Sequence, residues 1–277
     1  MIRIFSAFIL FAFTNTLAQT HRYYYNIEYK LDSLQKESQK KTMILDINPE
    51  DVKYYDYAFL VKDSINKKTN SQNLNWTDQI PVTRKRDSNK NLNYNNINFD
   101  LYTYFTDDKI NWKLQKDTQD FEGFKLQKAT CDFGGRKWVA WFTKDIPFSE
   151  GPYKFRGLPG LIVLLQDNQN FFNFSLIKSV NLKETYNTEN ILEVRYGNKA
   201  FPVTEKIFIK KSAEHYNDPF HDIKLSLANN PSGSFDYYGK RFTKDDDLTK
   251  ITKEARERIL LKNNPIEINK SINYNNK

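Results

Sequence analysis

From His21 to Leu31 the chain alternates without a break: Tyr23, Tyr25, Ile27, Tyr29 and Leu31 fall on one side of an extended backbone, Arg22, Asn26, Glu28 and Lys30 on the other. A helix repeats its faces every 3.6 residues and cannot satisfy a period of two, so this stretch is a strand with one face buried. Thr42 to Ile47 reads as a second strand, closed by Asn48-Pro49 and paired with the first in a hairpin. The pattern returns between Asn96 and Asp132. Ile97, Phe99, Leu101 and Phe105 share one face, Ile110, Trp112 and Leu114 share the next, and Thr106 to Lys109 turns between them, which predicts a meander. Leu126 and Ala129 lie in opposite phases of one strand, so a bulge between them is needed to keep both inside. Val52 to Val61 and Lys206 to Ile209 read as further strands, and the asparagine-rich Lys62 to Asn75 as a surface loop without chemistry.

Rigid and permissive residues concentrate between Gly151 and Ile162. Proline presets φ for the second position of a turn and glycine accepts positive φ at the third, so Leu158-Pro159-Gly160-Leu161 reads as a type II turn. It leads into the apolar run Leu161 to Leu165, then Asp167 to Asn170, then Phe172 to Leu176, a central hairpin. Helical spacing is clear in one place. Leu248, Ile251, Ala255 and Ile259 form a stripe, Asp245 to Asp247 precede it, and Asn263-Asn264-Pro265 stops it, giving a helix from Asp246 to Leu261. The expected fold is mainly β: one curved, twisted antiparallel sheet of meanders and hairpins with one C-terminal amphipathic helix packed on it.

Several of these stretches form an ordered set. Phe121 to Thr130, Gly135 to Thr143, Ile146-Pro147, Gly151-Pro152 and Gly157 to Ile162, with Met43 to Ile47 upstream and Asn264 to Glu267 downstream, resemble the GLPGLI family of Bacteroidota. The resemblance covers most of the chain beyond its leader. It implies an exported bacterial protein of a family whose activity is not established, and it supplies no catalytic residues.

Arg3, the apolar run Ile4 to Phe13 and the small-x-small site Thr16-Leu17-Ala18 have the form of a secretory signal peptide, residues 1–18. Export to the periplasm is the first expectation and full secretion the second. The apolar run is too short to cross a bilayer, so no transmembrane anchor is expected. Removing 18 of 277 residues leaves 259, and no linker divides them, so residues 19–277 are expected to form a single domain. Cys131 is the only cysteine, which excludes an internal disulfide and makes a buried, inert thiol the simplest reading. The net charge of +8 falls to +7 once Arg3 is gone, and its lysines are dispersed among acids and asparagines. No nucleic-acid motif accompanies them, so nucleic acid is not expected as a partner, whereas attraction to an anionic lipid or polysaccharide is the sharper alternative to a solvated surface.

The chemistry that remains is sparse. His215 and His221 lie with three carboxylates between Glu214 and Asp222, but their spacing fits no standard metal site and Pro219 breaks a helix, so a polar loop is expected. Asp145, Glu150 and Asp167 flank the Pro/Gly segment and could serve acid–base work, although turns favour carboxylates there too. No nucleophile elbow, zinc motif or phosphate loop occurs. The reading assigns no catalytic, cofactor-binding or metal residues and no cofactor. Tyr102 and Tyr104 lie opposite Phe99, Leu101 and Phe105, so both faces of that strand need covering, by a second layer or by a ligand. The expected function is that of an exported, non-enzymatic envelope module, binding a ligand or partner protein through a curved face. The alternative is a hydrolase or metal-dependent enzyme of unrecognised type.

Overall fold

Residues 20–73 and 77–274 are described in a computed structural model, so the expected signal peptide lies outside the described residues. The N-terminal hairpin forms as the alternation requires: β1 (Thr20–Tyr29) runs antiparallel to β2 (Gln39–Ile47), with Tyr23 opposite Leu45 and Tyr25 opposite Met43. Next come β3 (Asp51–Asp56), α1 (Ala58–Thr69), β4 (Val82–Lys85), β5 (Lys90–Ile97) and β6 (Asp100–Asp107). They are followed by β7 (Lys113–Phe121), β8 (Phe124–Phe133), β9 (Arg136–Thr143), β10 (Leu161–Asp167) and β11 (Phe172–Leu182). Short pieces follow: β12 (Val194–Arg195), β13 (Asn198–Lys199) and β14 (Phe201–Pro202), then α2 (Glu205–Asn217), α3 (His221–Asn229), β15 (Phe235–Tyr237), β16 (Lys240–Phe242) and α4 (Thr249–Leu260).

Twelve strands make one sheet, in the order β14-β6-β5-β4-β3-β2-β1-β11-β10-β9-β8-β7. This corrects the expected fold in two respects. The sheet is mixed, because β14 pairs parallel to β6, and four α-helices rather than one occur among the described residues. The meander is also broken. β6 and β7, consecutive in sequence, lie ten strand positions apart, about 48 Å if the sheet were flat. Residues 108–112 alone join them, and so short a link reaches about 20 Å. The sheet therefore curls until its two edges approach each other, which is the curvature that local alternation could not specify.

The inner face of the curl holds the main core, from Tyr25, Ile27, Met43, Leu45 and Tyr54 across to Trp138, Phe142, Leu165 and Phe174. Side chains of this size contribute about 1.5–3 kcal/mol each on burial. The Pro/Gly segment fills the inside: Tyr153, Phe155 and Leu158 are buried, and Trp138 lies 4.6 Å from the Phe155 ring. The bulge expected in β8 between Leu126 and Ala129 lies on the partner strand instead. Leu114 pairs with Ala129 and Thr118 with Gln127, so Gln115, Lys116 and Asp117 bulge opposite Lys128 while β8 stays in register with β9.

The turn at Leu158–Leu161 differs from expectation. The Gly160 N–H donates to the Leu158 carbonyl at 2.8 Å and the Leu161 N–H to Ile146, a tighter turn than type II. Gly160 takes φ of +148°, and a Cβ there would lie 2.0 Å from the Thr143 carbonyl oxygen. Only glycine lets the segment come this close to the end of β9.

Three helices replace expected strand or loop. α1 takes the end of the expected Val52–Val61 strand and most of the Lys62–Asn75 loop; its apolar residues mark no single stripe, and Asp56 accepts the Ala58 N–H at 2.9 Å to start it. α2 replaces the Lys206–Ile209 strand, capped by the Thr204 hydroxyl, which accepts the Ile207 N–H at 3.2 Å. α2 runs through the start of the His215–Asp222 region to Asn217, and α3 begins at His221. The expected hairpin forms as β10–β11 and the expected C-terminal helix as α4, but α4 is not laid on the sheet: its Ile251 packs with Phe220 beside α3 and with Phe242 of β16.

Candidate ligand-binding cleft

The outer face of the sheet is covered over β2 and β3 by a small layer, in which Ile44, Tyr55, Leu60 and Leu192 pack with Phe59 and Ile191. Arg22 anchors its base, donating to both Asp46 oxygens at 2.6 and 2.7 Å and to the Tyr55 hydroxyl at 3.1 Å. Beyond this layer the cover parts over β5 and β6. It leaves a cleft of about 980 Å³ with Tyr94, Asn96 and Leu101 as its floor.

One wall is α1 and the turn after it. Asn70 caps the helix in the left-handed conformation, φ 50°, and the Asn66 side chain binds the Ser71 hydroxyl and the Asn73 N–H, which folds the chain back along the helix. The other wall is residues 190–197. Thr188 ties its start to Lys53 at 2.7 Å and to Glu193 at 2.9 Å, while Tyr196 and Gly197, both at positive φ, turn β12 into β13. The result is a rim of carboxamides around aromatic rings. Asn70, Gln72, Asn96 and Asn190 line it with no side-chain hydrogen bond among the described residues, and Tyr196 is half exposed above them.

The charge is uneven. Lys62, Lys67 and Arg195 face the cleft against a single carboxylate, Asp63. Asp63 is already engaged: Lys67 lies at 2.6 Å and the Tyr186 hydroxyl donates to it. Burial raises its pKa, but those two bonds outweigh burial and hold it below its ordinary value.

The carboxylates singled out in the sequence are not brought together. Glu150 is clamped by Arg84 and by Arg156 at 3.3 Å. Asp167 pairs with Arg136 at 3.1 Å and accepts the N–H groups of Phe171 and Phe172 at 2.8 and 2.9 Å. Asp145 binds Thr143. All three hold the fold around the Pro/Gly segment. The His215–Asp222 run is a helix–turn–helix rather than a loop; Asp218 faces Lys224 at 2.7 Å and His221 at 3.6 Å, and no group of three metal-ligating side chains converges among the described residues. Cys131 is buried, and desolvation pushes its thiol up to about 12, which leaves it protonated and unreactive. Tyr102 and Tyr104, whose exposed face invited a ligand, are covered by the protein itself: Phe208 of α2 stacks on Tyr104 at 4.9 Å and Phe201 lies against Tyr102.

Sequence reasoning missed the cleft because its wall, residues 62–73, reads as a solvated loop. The available signal was the density of asparagine there, with one acid, Asp63, against Lys62, Lys67 and Lys68. It also missed a buried ion cluster inside the curl. Lys154, 2% exposed, lies 3.1 Å from Asp108 and 2.5 Å from Glu267, and Lys270 reaches the same two carboxylates.

Comparison with known proteins adds one family and one fold. The model of a family described as a protein of unknown function, Porph_ging, a domain associated with Bacteroidota, matches residues 133–164, the stretch from β9 through the Pro/Gly segment into β10. No curated protein matches the chain. Solved structures of PNGF-II in two crystal forms are similar in fold. One aligns with a TM-score of 0.52 at 13% identity over 69% of this chain and 32% of its own, the other with 0.53 at 13% over 70% and 33%. This chain thus spans about a third of PNGF-II, and at that identity the likeness is one of fold alone. Among the described residues no helix is long and apolar enough to cross a membrane.

Proposed function

We propose that this chain is an exported cell-envelope module of the GLPGLI type, with residues 1–18 as a removable signal peptide and 19–277 as one domain, and that it holds a ligand in the outer cleft without transforming it. The observation that carries this reading is the rim of carboxamides without side-chain partners among the described residues, set around Tyr94 and Leu101, in a molecule whose buried ions inside the curl are paired. Amides exposed in a cleft are suited to recognition: they offer donors and acceptors, but they do not titrate near neutral pH and are poor nucleophiles. The curved inner face, which the sequence suggested as the binding surface, is occupied by the chain's own Tyr153, Phe155 and Leu158. Of the three carboxylates considered for acid–base work, Glu150 and Asp167 are held in ion pairs with arginine and Asp145 accepts a hydrogen bond from Thr143.

Native mass spectrometry of mature protein recovered from its own envelope tests this. A discrete bound mass in the wild type that is lost from an Asn96→Ala, Tyr196→Asn double variant is the expected result. A bare polypeptide in both, or a bound mass indifferent to the two changes, overturns it.

A further inference from the structure

We infer that Lys154 and Asp108 become joined inside the curled sheet by an isopeptide bond, an amide between their side chains. The inference is independent of what the outer cleft binds. Its basis is a buried amine held against two buried carboxyl groups. Lys154 is 2% exposed, and its Nζ lies 3.1 Å from Asp108 Oδ2 and 2.5 Å from Glu267 Oε1. A carbon–oxygen bond of this kind is about 1.2 Å long, so Asp108 Cγ lies at most about 4.3 Å from that nitrogen. Attack begins at about 3–3.5 Å, a small side-chain movement away.

The surroundings fit each part of the reaction. Asp108 Oδ2 accepts the Asn91 amide at 3.1 Å and the Thr106 hydroxyl, two donors placed where negative charge collects when an amine adds to the carboxyl carbon. Glu267 is positioned to take a proton from the Lys154 ammonium along their hydrogen bond, which frees the nitrogen lone pair. Lys270 stands beyond it, 3.0 Å from Glu267 Oε2 and 3.3 Å from Asp108 Oδ1, and completes a proton path to the oxygen that departs. Burial lowers the Lys270 pKa, but Glu267, Asp108 and Glu205 outweigh burial and hold it above its ordinary value, so Lys270 carries the proton and Lys154 attacks. The Lys270 side chain is 34% exposed, which gives the released water an exit. Tyr153, buried at φ 57°, donates its hydroxyl to Glu267 at 2.6 Å; this strained backbone turns Lys154 toward the carboxyl groups.

The reaction is a dehydration. Lys154 Nζ bonds to Asp108 Cγ, the Cγ–Oδ1 bond breaks, two of the three ammonium protons pass through Glu267 and Lys270 to Oδ1, and one water leaves. One positive and one negative charge disappear together, and nothing is oxidised or reduced. Losing both charges relieves the desolvation of a buried pair. The ion pair is the state in which the chain first folds, and the acid and stability behaviour of these groups as ions belongs to that state. The bond ties the link between β6 and β7 to the Pro/Gly segment, in a chain whose single cysteine excludes an internal disulfide.

The test is mass spectrometry of the full mature chain, intact and after tryptic digestion. The intact protein is expected to be lighter by one water than its sequence from the measured N-terminus. The digest is expected to hold the Asp108 peptide linked to the Lys154 peptide, uncleaved at Lys154. Lys154→Arg keeps the cation without the amine and is expected at full mass with no linked peptide. Glu267→Gln is expected to slow the reaction about a hundredfold or more, leaving most of the freshly made chain unlinked. Wild-type protein at full mass overturns the proposal, whether or not the variants fold. So does a missing water that maps to a single peptide, as a cyclised aspartate gives. A link from Lys154 to Glu267 instead of Asp108 reverses the roles of the two acids and sinks the assignment, and a Glu267→Gln chain linked as fully as the wild type removes Glu267 as the base.

Discussion

The two faces of the curled sheet use the same residue types in opposite ways. On the inner face, Lys154 is buried between Asp108 and Glu267, and the Asn93 amide donates to the Tyr104 carbonyl and the Thr106 hydroxyl, both at 3.1 Å. On the outer face, Lys62 and Asn96 border a cleft with no such partners among the described residues. A buried polar group without a partner costs about 1–3 kcal/mol, so inside the curl the chain pairs its ions and most of its amides, with the Tyr54 hydroxyl and the Asn91 Oδ1 as exceptions; a solvated rim is served by water. Pairing marks the face that holds the fold, and open valence marks the face left to solvent.

Breaking the inner face should therefore cost stability, and altering the outer face should cost only binding. The largest effect is expected from Gly160→Ala. The new methyl would sit 2.0 Å from the Thr143 carbonyl oxygen, so β9 and the Pro/Gly segment must separate. A loss of about 4 kcal/mol or more in urea unfolding, or failure to fold, is expected; wild-type stability would show that the close approach is not needed.

Lys154→Met comes next. It leaves Asp108 and Glu267 buried with Lys270 as their remaining cation, and a loss of about 3–5 kcal/mol is expected for a broken buried pair. The comparison is sharpened if the protein that remains folded binds its ligand at wild-type affinity.

The Asp108 carboxyl gives a smaller and pH-dependent effect. Burial raises its pKa, but Lys154, the Thr106 hydroxyl and Lys270 together outweigh burial and hold it below the ordinary 3.8. A depressed carboxyl stabilises the fold fully above its unfolded value and loses that contribution as pH falls through the folded one. Acid should thus destabilise the wild type below about pH 3.8, and Asp108→Asn should be less stable at neutral pH with a shallower acid slope, seen in melting temperature against pH. An unchanged slope would assign the acid sensitivity to other groups.

The smallest effect is expected at the cleft. Asn96→Ala should change stability by no more than about 0.5 kcal/mol, because its side chain supports nothing inside the fold. A loss near 2 kcal/mol would make Asn96 part of the scaffold and erase the contrast between the two faces.

The legible parts of this molecule are those written in neighbouring residues. The β1–β2 and β10–β11 hairpins and α4 follow from periods of two and 3.6 and from turn residues a few positions away. α1 and α2 were hidden because each is stabilised by what it packs on: Leu60 under the outer layer, Phe208 on Tyr104. Glu150 and Asp167 stood out in the sequence for their place beside turns, and turn-building is close to what they do; arginines 66 and 31 positions away complete the pairs. The asparagines of the cleft carried no periodic signal, since recognition needs convergence in space and not spacing along the chain.

By itself the sequence determined that this chain is mainly β, that it carries a rigid segment which must lie close to other backbone, and that no disulfide holds it. The tertiary structure decided that the sheet curls, that the rigid segment fills the inside, and that an open cleft is left on the outer face. The reason is one of range: hydrophobic alternation and backbone restriction act over a few residues, whereas curl, ion pairing and a converging cleft depend on groups brought together across more than a hundred.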